Sequence, residues 1–438
     1  MEREITLSTN ACYMFELFHQ MATIASVASD VWFYVIPFVL YPIFVMLWVD
    51  SRNEIFGSKI EWVLLEIIPP KELEKSPHPM ELIYSGFGGV IKTPTSFEEY
   101  VLGEYPAKFC LELVSTEGLV HMYIRTQKPF RNLVEAHFYA QYPNVEIVEA
   151  EDYTKQVPRT LPNKDWDLWG TEFKLFKPDL YPIRTYKFFE ESVTGKMLDP
   201  MAGLIETMGK IGPGQHLWLQ FLATPVKEDW GPKKGQETIE EFLGHEEVEG
   251  VGIFMRVWHD VADVLRNLFS GLLGHELTWT SLSEAAAAEE QPVEFRLTPG
   301  QKDTLKALES NIGKPMFKIK MRHLYLGKKE HFSKSTGVSA FIGAIKQFND
   351  INLNSMVPDD LSKTYAAYLF VEARTRYRQR RIFRRYITRD SLPSENNFLL
   401  SSEELATIYH LPDMQVLAPA LSRVMTKRGG APNNLPVQ

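Results

Sequence analysis

Eight arginines fall between Arg374 and Arg389 in the stretch VEARTRYRQRRIFRRYITRD, with Glu372 and Asp390 as the carboxylates beside them. A guanidinium stays charged at any physiological pH and offers five N–H donors in a planar fork, so the chemistry open to such a run is the holding of oxyanions. At helical spacing Arg374, Arg378, Arg381 and Arg385 form one stripe, and Arg380 and Arg384 complete the set of candidate DNA- or partner-binding residues. Three anions fit: DNA phosphates, with Tyr377, Phe383 and Tyr386 interleaved for stacking; anionic lipid headgroups; or an acidic protein surface. A merely solvated helix would need local carboxylates to pair its cations, and Glu372 and Asp390 cannot neutralise eight arginines.

Other chemistry is sparse. There is no GxxxxGK[ST] phosphate loop; Thr194-Gly195-Lys196 and Ile312-Gly313-Lys314 lack the earlier glycine and the following hydroxyl. The 11 histidines show no HExxH spacing, and His245 and His275, each beside a glutamate, read as solvated residues. No G-x-S-x-G elbow is present, and Cys110 alternates within a strand as a core residue does. This reading assigns no catalytic residue, no metal site and no cofactor.

The elements that must position the arginines begin with an apolar run. Val31 to Val49 holds no charge and is long enough to cross the ~30 Å hydrocarbon of a bilayer once as a helix. Trp32 and Trp48 lie near its ends, and Pro37 and Pro42 are tolerated in lipid. Arg52, Lys59 and Lys71 follow the run and Arg3 alone precedes it, which predicts a single-pass inner-membrane protein with its C-terminal bulk cytoplasmic and residues 1–30 outside or interfacial. A basic leader is missing, so the run is expected to stay on the protein. A net charge of −9 argues against a generally basic nucleic-acid binder, and only 2 cysteines exclude a disulfide framework.

Beyond the run, the pattern predicts an α+β chain: a transmembrane helix over 31–49, two ferredoxin-like α/β sandwich units over 51–160 and 161–360, and a basic helix over 361–390. In the first unit EWVLLEII, MELIYSGF, AKFCLELVS, LVHMYIRTQ, PFRNLVEAHFYAQYP and VEIVEAEDY follow β-α-β-β-α-β order, with a hairpin at Thr116-Glu117-Gly118. The second unit carries an insertion over 233–292, with an acidic run Glu237 to Glu249, an amphipathic stretch Gly252 to Gly274 and the linker SLSEAAAAEEQP. Capping boxes are read at Thr298 with Gln301 and at Ser401 with Glu404, and residues 391–438 read as a short helix and linker.

PKELEKSPHPMEL, AQYPNVEIVEAEDY, LTPGQKDTLKALESNIGKPMFKIKMRHLYLGKK, QFNDINLNSMVP and SSEELATIYHLPDMQVLAPALSRVMTKRGGAPNNLP resemble the membrane-proximal, non-ATPase region of type IV secretion or conjugative DNA-transfer ATPases of the HerA–FtsK class. The resemblance covers most of the chain from Glu61 onward. Residues 410–412 and 434–436 resemble the segment that leads into the motor domain of that class. The resemblance implies a non-catalytic subunit that docks a P-loop translocation ATPase supplied in trans, works as an oligomer with that motor, and is tethered to membrane lipid. The alternative is a free-standing, membrane-tethered DNA-binding protein.

Overall fold

The computed structural model describes residues 33, 36–37, 40–71, 73, 76–92, 94–189, 198–227, 230–243, 297–391 and 396–413. The expected N-terminal segment, the amphipathic stretch Gly252 to Gly274, the small-residue linker, the second part of the acidic run and the chain after Asp413 lie outside them. The described residues form two compact units. One takes residues up to Glu61 together with Lys92–Pro106, and the other takes Trp62–Ile91 together with the chain from Ala107.

The smaller unit holds helix α1, residues 40–58. The helix does not end with the apolar run: it continues through Asp50, Arg52 and Glu54, so its second half is polar. Among the described residues no helix is long and apolar enough to cross a membrane, which removes the single-pass span and the inner-membrane localisation expected from Val31 to Val49. Within this unit Trp48 donates its indole N–H to the Tyr100 carbonyl at 2.8 Å, and Arg52 lies over the Trp48 ring at 5.0 Å. Gly103, at φ +73, backs onto Arg52 so closely that a Cβ there would meet the Arg52 carbonyl carbon at 2.3 Å.

The larger unit is built on strands β1 (Trp62–Ile68), β2 (Phe109–Thr116), β3 (Leu119–Gln127), β4 (Glu146–Glu149), β5 (Trp166–Leu175), β6 (Gln215–Pro225), β7 (Met316–Lys328), β8 (Met356–Pro358) and β9 (Phe398–Ser401). They form one 9-stranded sheet in the order β4-β1-β3-β2-β6-β7-β5-β8, with β9 added to β7, and every pairing is antiparallel. This corrects the expected pair of ferredoxin-like sandwiches. β2 and β6 pair from Phe109↔Ala223 to Thr116↔His216, which fuses strands of both expected units into one sheet. The reason is burial: β2 and β6 are almost wholly buried along their length, and an apolar strand left as an open edge would seek another partner. On either side of that seam the chain repeats one order, β4-β1-β3-β2 and β8-β5-β7-β6.

Local signals explain the turns and caps. Glu117 and Gly118 both take positive φ, 54 and 92, as a two-residue hairpin of the right twist requires, and the Gly214 N–H donates to Glu117 Oε1 at 2.8 Å. Helix α2 (His78–Phe87), α3 (Arg131–Gln141), α4 (Ala202–Gly209), α5 (Trp230–Phe242), α6 (Pro299–Ile312) and α7 (Ala340–Ile345) follow in chain order, α6 opened by the Thr298–Gln301 capping box. The larger core joins one face of the sheet, through Leu65, Leu111, Leu219 and Met321, to Ile83 and Phe87 of α2, Val134 and Phe138 of α3, Ile205 and Met208 of α4 and Phe341 of α7. A smaller core on the opposite face gathers Tyr153, Val157, Leu161, Trp218 and Leu324.

The short helix expected after the Ser401–Glu404 capping box is present, and residues 398–411 belong to the larger core. β9 pairs with β7 from Met316↔Ser401 to Ile319↔Phe398, and helix α9 (Ser402–Ile408) is buried along its whole length. Tyr409 is fully buried; its hydroxyl donates to the Tyr123 carbonyl at 2.9 Å while its own carbonyl accepts from the Tyr84 hydroxyl at 2.7 Å. Tyr409→Ala is therefore expected to cost about 3–5 kcal/mol, and Tyr409→Phe about 1 kcal/mol. The shift in urea midpoint at constant slope checks both.

Candidate functional site

Helix α8 (Val371–Thr388) carries the arginine run, and it starts at Val371 rather than in the preceding residues because Tyr368 and Phe370 take left-handed φ of 70 and 51. It crosses the face of the sheet that holds the smaller core. Gln379, Ile382, Phe383 and Tyr386 recur at 3, 4 and 7 residues and are its buried residues. Gln379 Nε2 donates to Asp167 Oδ1 at 2.9 Å and to the Leu168 carbonyl at 2.7 Å, and Tyr386 shares a 2.8 Å hydroxyl contact with Tyr153. Phe383 and Tyr386, expected as stacking residues, are thus committed to the core and cannot meet a base.

Under the helix lies a row of polar side chains fixed by strand register. Glu112 of β2 faces Gln220 of β6, Gln220 faces Arg322 of β7, and Arg322 faces Glu172 of β5. All four are buried. Gln220 Nε2 donates to Glu112 Oε1 at 2.9 Å, and Arg322 donates through Nε to Glu172 Oε1 at 3.0 Å and through one terminal nitrogen to the Arg385 carbonyl at 3.1 Å. Gln220 also donates to the Tyr386 carbonyl at 3.2 Å. The row therefore adds donors to the last turn of α8, whose Arg385 and Tyr386 carbonyls also accept from the Asp390 and Arg389 N–H groups.

Arg389 closes that end. It takes a left-handed φ of 53, lies 1% exposed, and grips Glu112 with two N–H···O bonds of 2.8 and 3.1 Å and Asp152 with two of 2.7 and 3.1 Å. Burial pushes the Glu112 carboxyl up, but the Arg389 guanidinium overcomes it and holds the group below its ordinary range. The Cys110 thiol donates to the same carboxylate at 2.9 Å and is itself pushed well up by burial, so it stays protonated and unreactive.

The other seven arginines of α8 behave differently. Arg374, Arg376, Arg380 and Arg384 are exposed, Arg378, Arg381 and Arg385 are half-buried, and among the described residues none of them forms an ion pair. Arg374, Arg378, Arg381 and Arg385 line one cavity of about 410 Å³. Arg376 and Arg380 line another of about 670 Å³, together with Lys164 and Lys329. The structure thus splits the six expected residues: four line the first cavity, Arg380 lines the second, and Arg384 is open to solvent.

Sequence reasoning named Tyr377 but passed over Lys164, Lys329 and the other exposed aromatic residues nearby. Tyr365, Tyr368, Phe370 and Tyr377 are 67%, 94%, 79% and 64% exposed, all within the segment that leads into and opens α8. The signal was present in TYAAYLF, where three aromatic residues directly precede the arginines. Among the described residues no three histidine, cysteine or carboxylate side chains gather where they could hold a metal ion.

Removing the Arg389 side chain leaves Glu112 buried without its cation, and Arg389→Ala is expected to cost about 3–5 kcal/mol at neutral pH. In the parent protein Glu112 titrates below its unfolded value, so its contribution is complete above the ordinary carboxylate range and is lost as the pH falls through the folded value. In Arg389→Ala burial acts without that opposition, the carboxyl is pushed up, and the variant gains stability as the pH is lowered from 7 toward 5. Opposite slopes of Tm against pH for the two proteins check the assignment.

No curated protein matches this sequence. A family model described as "Domain of unknown function (DUF8128)" matches residues 51–423, a span that takes in the whole sheet, α8 and the buried tail. On that match the chain belongs to the DUF8128 family.

Proposed function

We propose that the protein is a non-catalytic subunit of a DNA-translocating machine of the type IV secretion kind, in which it contacts a nucleic-acid strand through α8 while a P-loop ATPase on a separate chain supplies the work. The observation that carries the contact is the set of unpaired arginines on α8. Arginine is disfavoured near a helix N-terminus by the macrodipole, yet Arg374 and Arg376 lie in its first turns with only Glu372 to offset them. Charges held at that cost, on a helix whose apolar face is already satisfied, await an anion supplied from outside.

A strand fits this surface better than an acidic protein. Arg376 and Arg380 with Lys164 and Lys329 outnumber Asp167 and Glu372 in an open groove along one flank of α8, the exposed Arg384 follows one turn on, and the exposed rings of Tyr365, Tyr368, Phe370 and Tyr377 offer stacking platforms close in sequence. Positive charge beside free aromatic faces is the combination that holds single strands without regard to sequence. The machine and its motor are supported by the resemblance of PKELEKSPHPMEL, QFNDINLNSMVP and the segment from Ser401 to the secretion-ATPase class.

The test is fluorescence anisotropy of a single-stranded oligonucleotide against the full chain across a salt series. Affinity is expected to fall steeply with salt, and each of Arg380→Ala and Arg384→Ala to reduce the log–log slope by about 0.7. A salt-independent affinity, or no binding at low salt, overturns the strand contact.

A further inference from the structure

The cavity on the other flank of α8 differs in kind from the open groove. Arg374, Arg378, Arg381 and Arg385 line it with Tyr377 on the same helix. At about 410 Å³ it falls at the small end of ligand pockets, ~300–1,000 Å³, with room for a single nucleotide. Three of these arginines are set in place by main-chain carbonyls: Arg374 by Ala367 at 3.1 Å, Arg378 by Lys363 at 3.2 Å and Tyr365 at 2.5 Å, and Arg381 by Leu361 at 3.5 Å. Each such bond uses part of a five-donor fork and leaves the rest free to point at a ligand.

The floor of the cavity is acidic but already spoken for. Glu172 accepts from Arg322 at 3.0 Å and Asn396 at 3.0 Å and lies 3.4 Å from Lys320. Asp359 accepts from Asn396 at 3.1 Å and from the Ser362 N–H at 2.9 Å, with Lys174 at 3.7 Å. Neither carboxylate pairs with the four arginines of the wall. Arg385 is held below its ordinary range, first by burial and then by Arg381 and Arg322, which together outweigh the attraction of Glu172 and Asp390.

We propose that the cavity binds a terminal phosphomonoester carried on a nucleoside, with the phosphate between Arg378, Arg381 and Arg385 and the base against the exposed Tyr377 ring. The end of a bound strand and a free nucleoside monophosphate share this chemistry; the first source rests on the strand-binding reading and the second does not. A terminal phosphomonoester carries about −1.5 to −2 charge at pH 7 where an internal phosphodiester carries one, which is the difference several converging guanidiniums can read. Tyr377 suits the rim because its ring is 64% exposed and already has the Arg381 guanidinium 5.8 Å from its centroid.

The test uses the full chain and four probes: one oligonucleotide with a 5′-phosphate, the same oligonucleotide with a 5′-hydroxyl, adenosine monophosphate and adenosine. The phosphorylated oligonucleotide is expected to bind about tenfold tighter than its hydroxyl counterpart. That preference should vanish in Arg381→Ala and Arg385→Ala and shrink in Tyr377→Ala, with unchanged thermal melting to show that each variant folds. Competition by adenosine monophosphate but not adenosine supports the free nucleotide as a source, and preference without such competition supports the strand end. If adenosine monophosphate binds and neither oligonucleotide does, the phosphomonoester site stands and the strand contact falls. Equal affinity for the two oligonucleotides with no binding of adenosine monophosphate overturns this site and leaves the strand contact intact.

Discussion

A buried row of polar side chains, Glu112–Gln220–Arg322–Glu172, sets the position of α8 and of the arginines it carries. Charges and amides so far from water are tolerated only when each finds a partner, and here the partners come from both ends of the row. Arg389 satisfies Glu112, while Asn396 and Lys320 join Arg322 around Glu172. The row also donates upward to the carbonyls of Arg385 and Tyr386. An apolar row would have packed as well but would have given those carbonyls no donor from the sheet, leaving them the Arg389 and Asp390 N–H groups. Buried ionic groups are weak evidence of net stability, and their effect here is better described as fixing where the helix ends.

The seven remaining arginines depend on that fixing. The buried seam of α8 is narrow, with Ile382, Phe383 and Tyr386 as its apolar members, and such a seam alone would let an 18-residue helix of this charge roll or slide. Gln379 and Arg389 pin it on either side of the seam through polar contacts, and direction as well as position follows from them. The exposed guanidiniums are then presented from a rigid element instead of a loop. Rigid presentation matters because an ordered donor loses less freedom on meeting its anion.

Legibility in the sequence divided along the same line as the physics. The hairpin at Thr116 to Gly118, the two capping boxes and the arginine stripe rest on neighbours a few residues apart, and each can be read from a short window. The polar row cannot, because its bonds join residues 108, 102 and 150 positions apart, and only the pairing of β2 with β6 brings its halves together. That same pairing merges what periodicity alone presents as two sandwiches. The apolar run Val31 to Val49 misleads for a different reason: a span is judged from the run itself, whereas the helix continues into Asp50, Arg52 and Glu54. Phe383 and Tyr386 illustrate a third limit. Their spacing from Gln379 and Ile382 marks a seam, but in a run so dense in arginine the seam reads as interleaved aromatics.

The division of α8 into two flanks follows from one residue of helical rotation. Arg380 and Arg381 are adjacent in sequence and about 100° apart around the axis, enough to send one to the groove with Lys164 and Lys329 and the other into the cavity with Arg378 and Arg385. What makes the flanks unequal is the chain that borders them. On the Arg381 side the segment from Asp359 to Phe370 folds back along the helix, gives its carbonyls to three arginines and walls the cavity. On the Arg380 side only Lys164, Lys329 and their neighbours approach, and the surface stays open. The left-handed backbone at Tyr368 and Phe370 is what turns the folded-back segment into the helix, and it holds two aromatic rings in solvent at a cost of about 1–2 kcal/mol each. Strain kept at such a place, beside cations that form no ion pair among the described residues, fits a surface shaped for the proposed ligand rather than for its own stability.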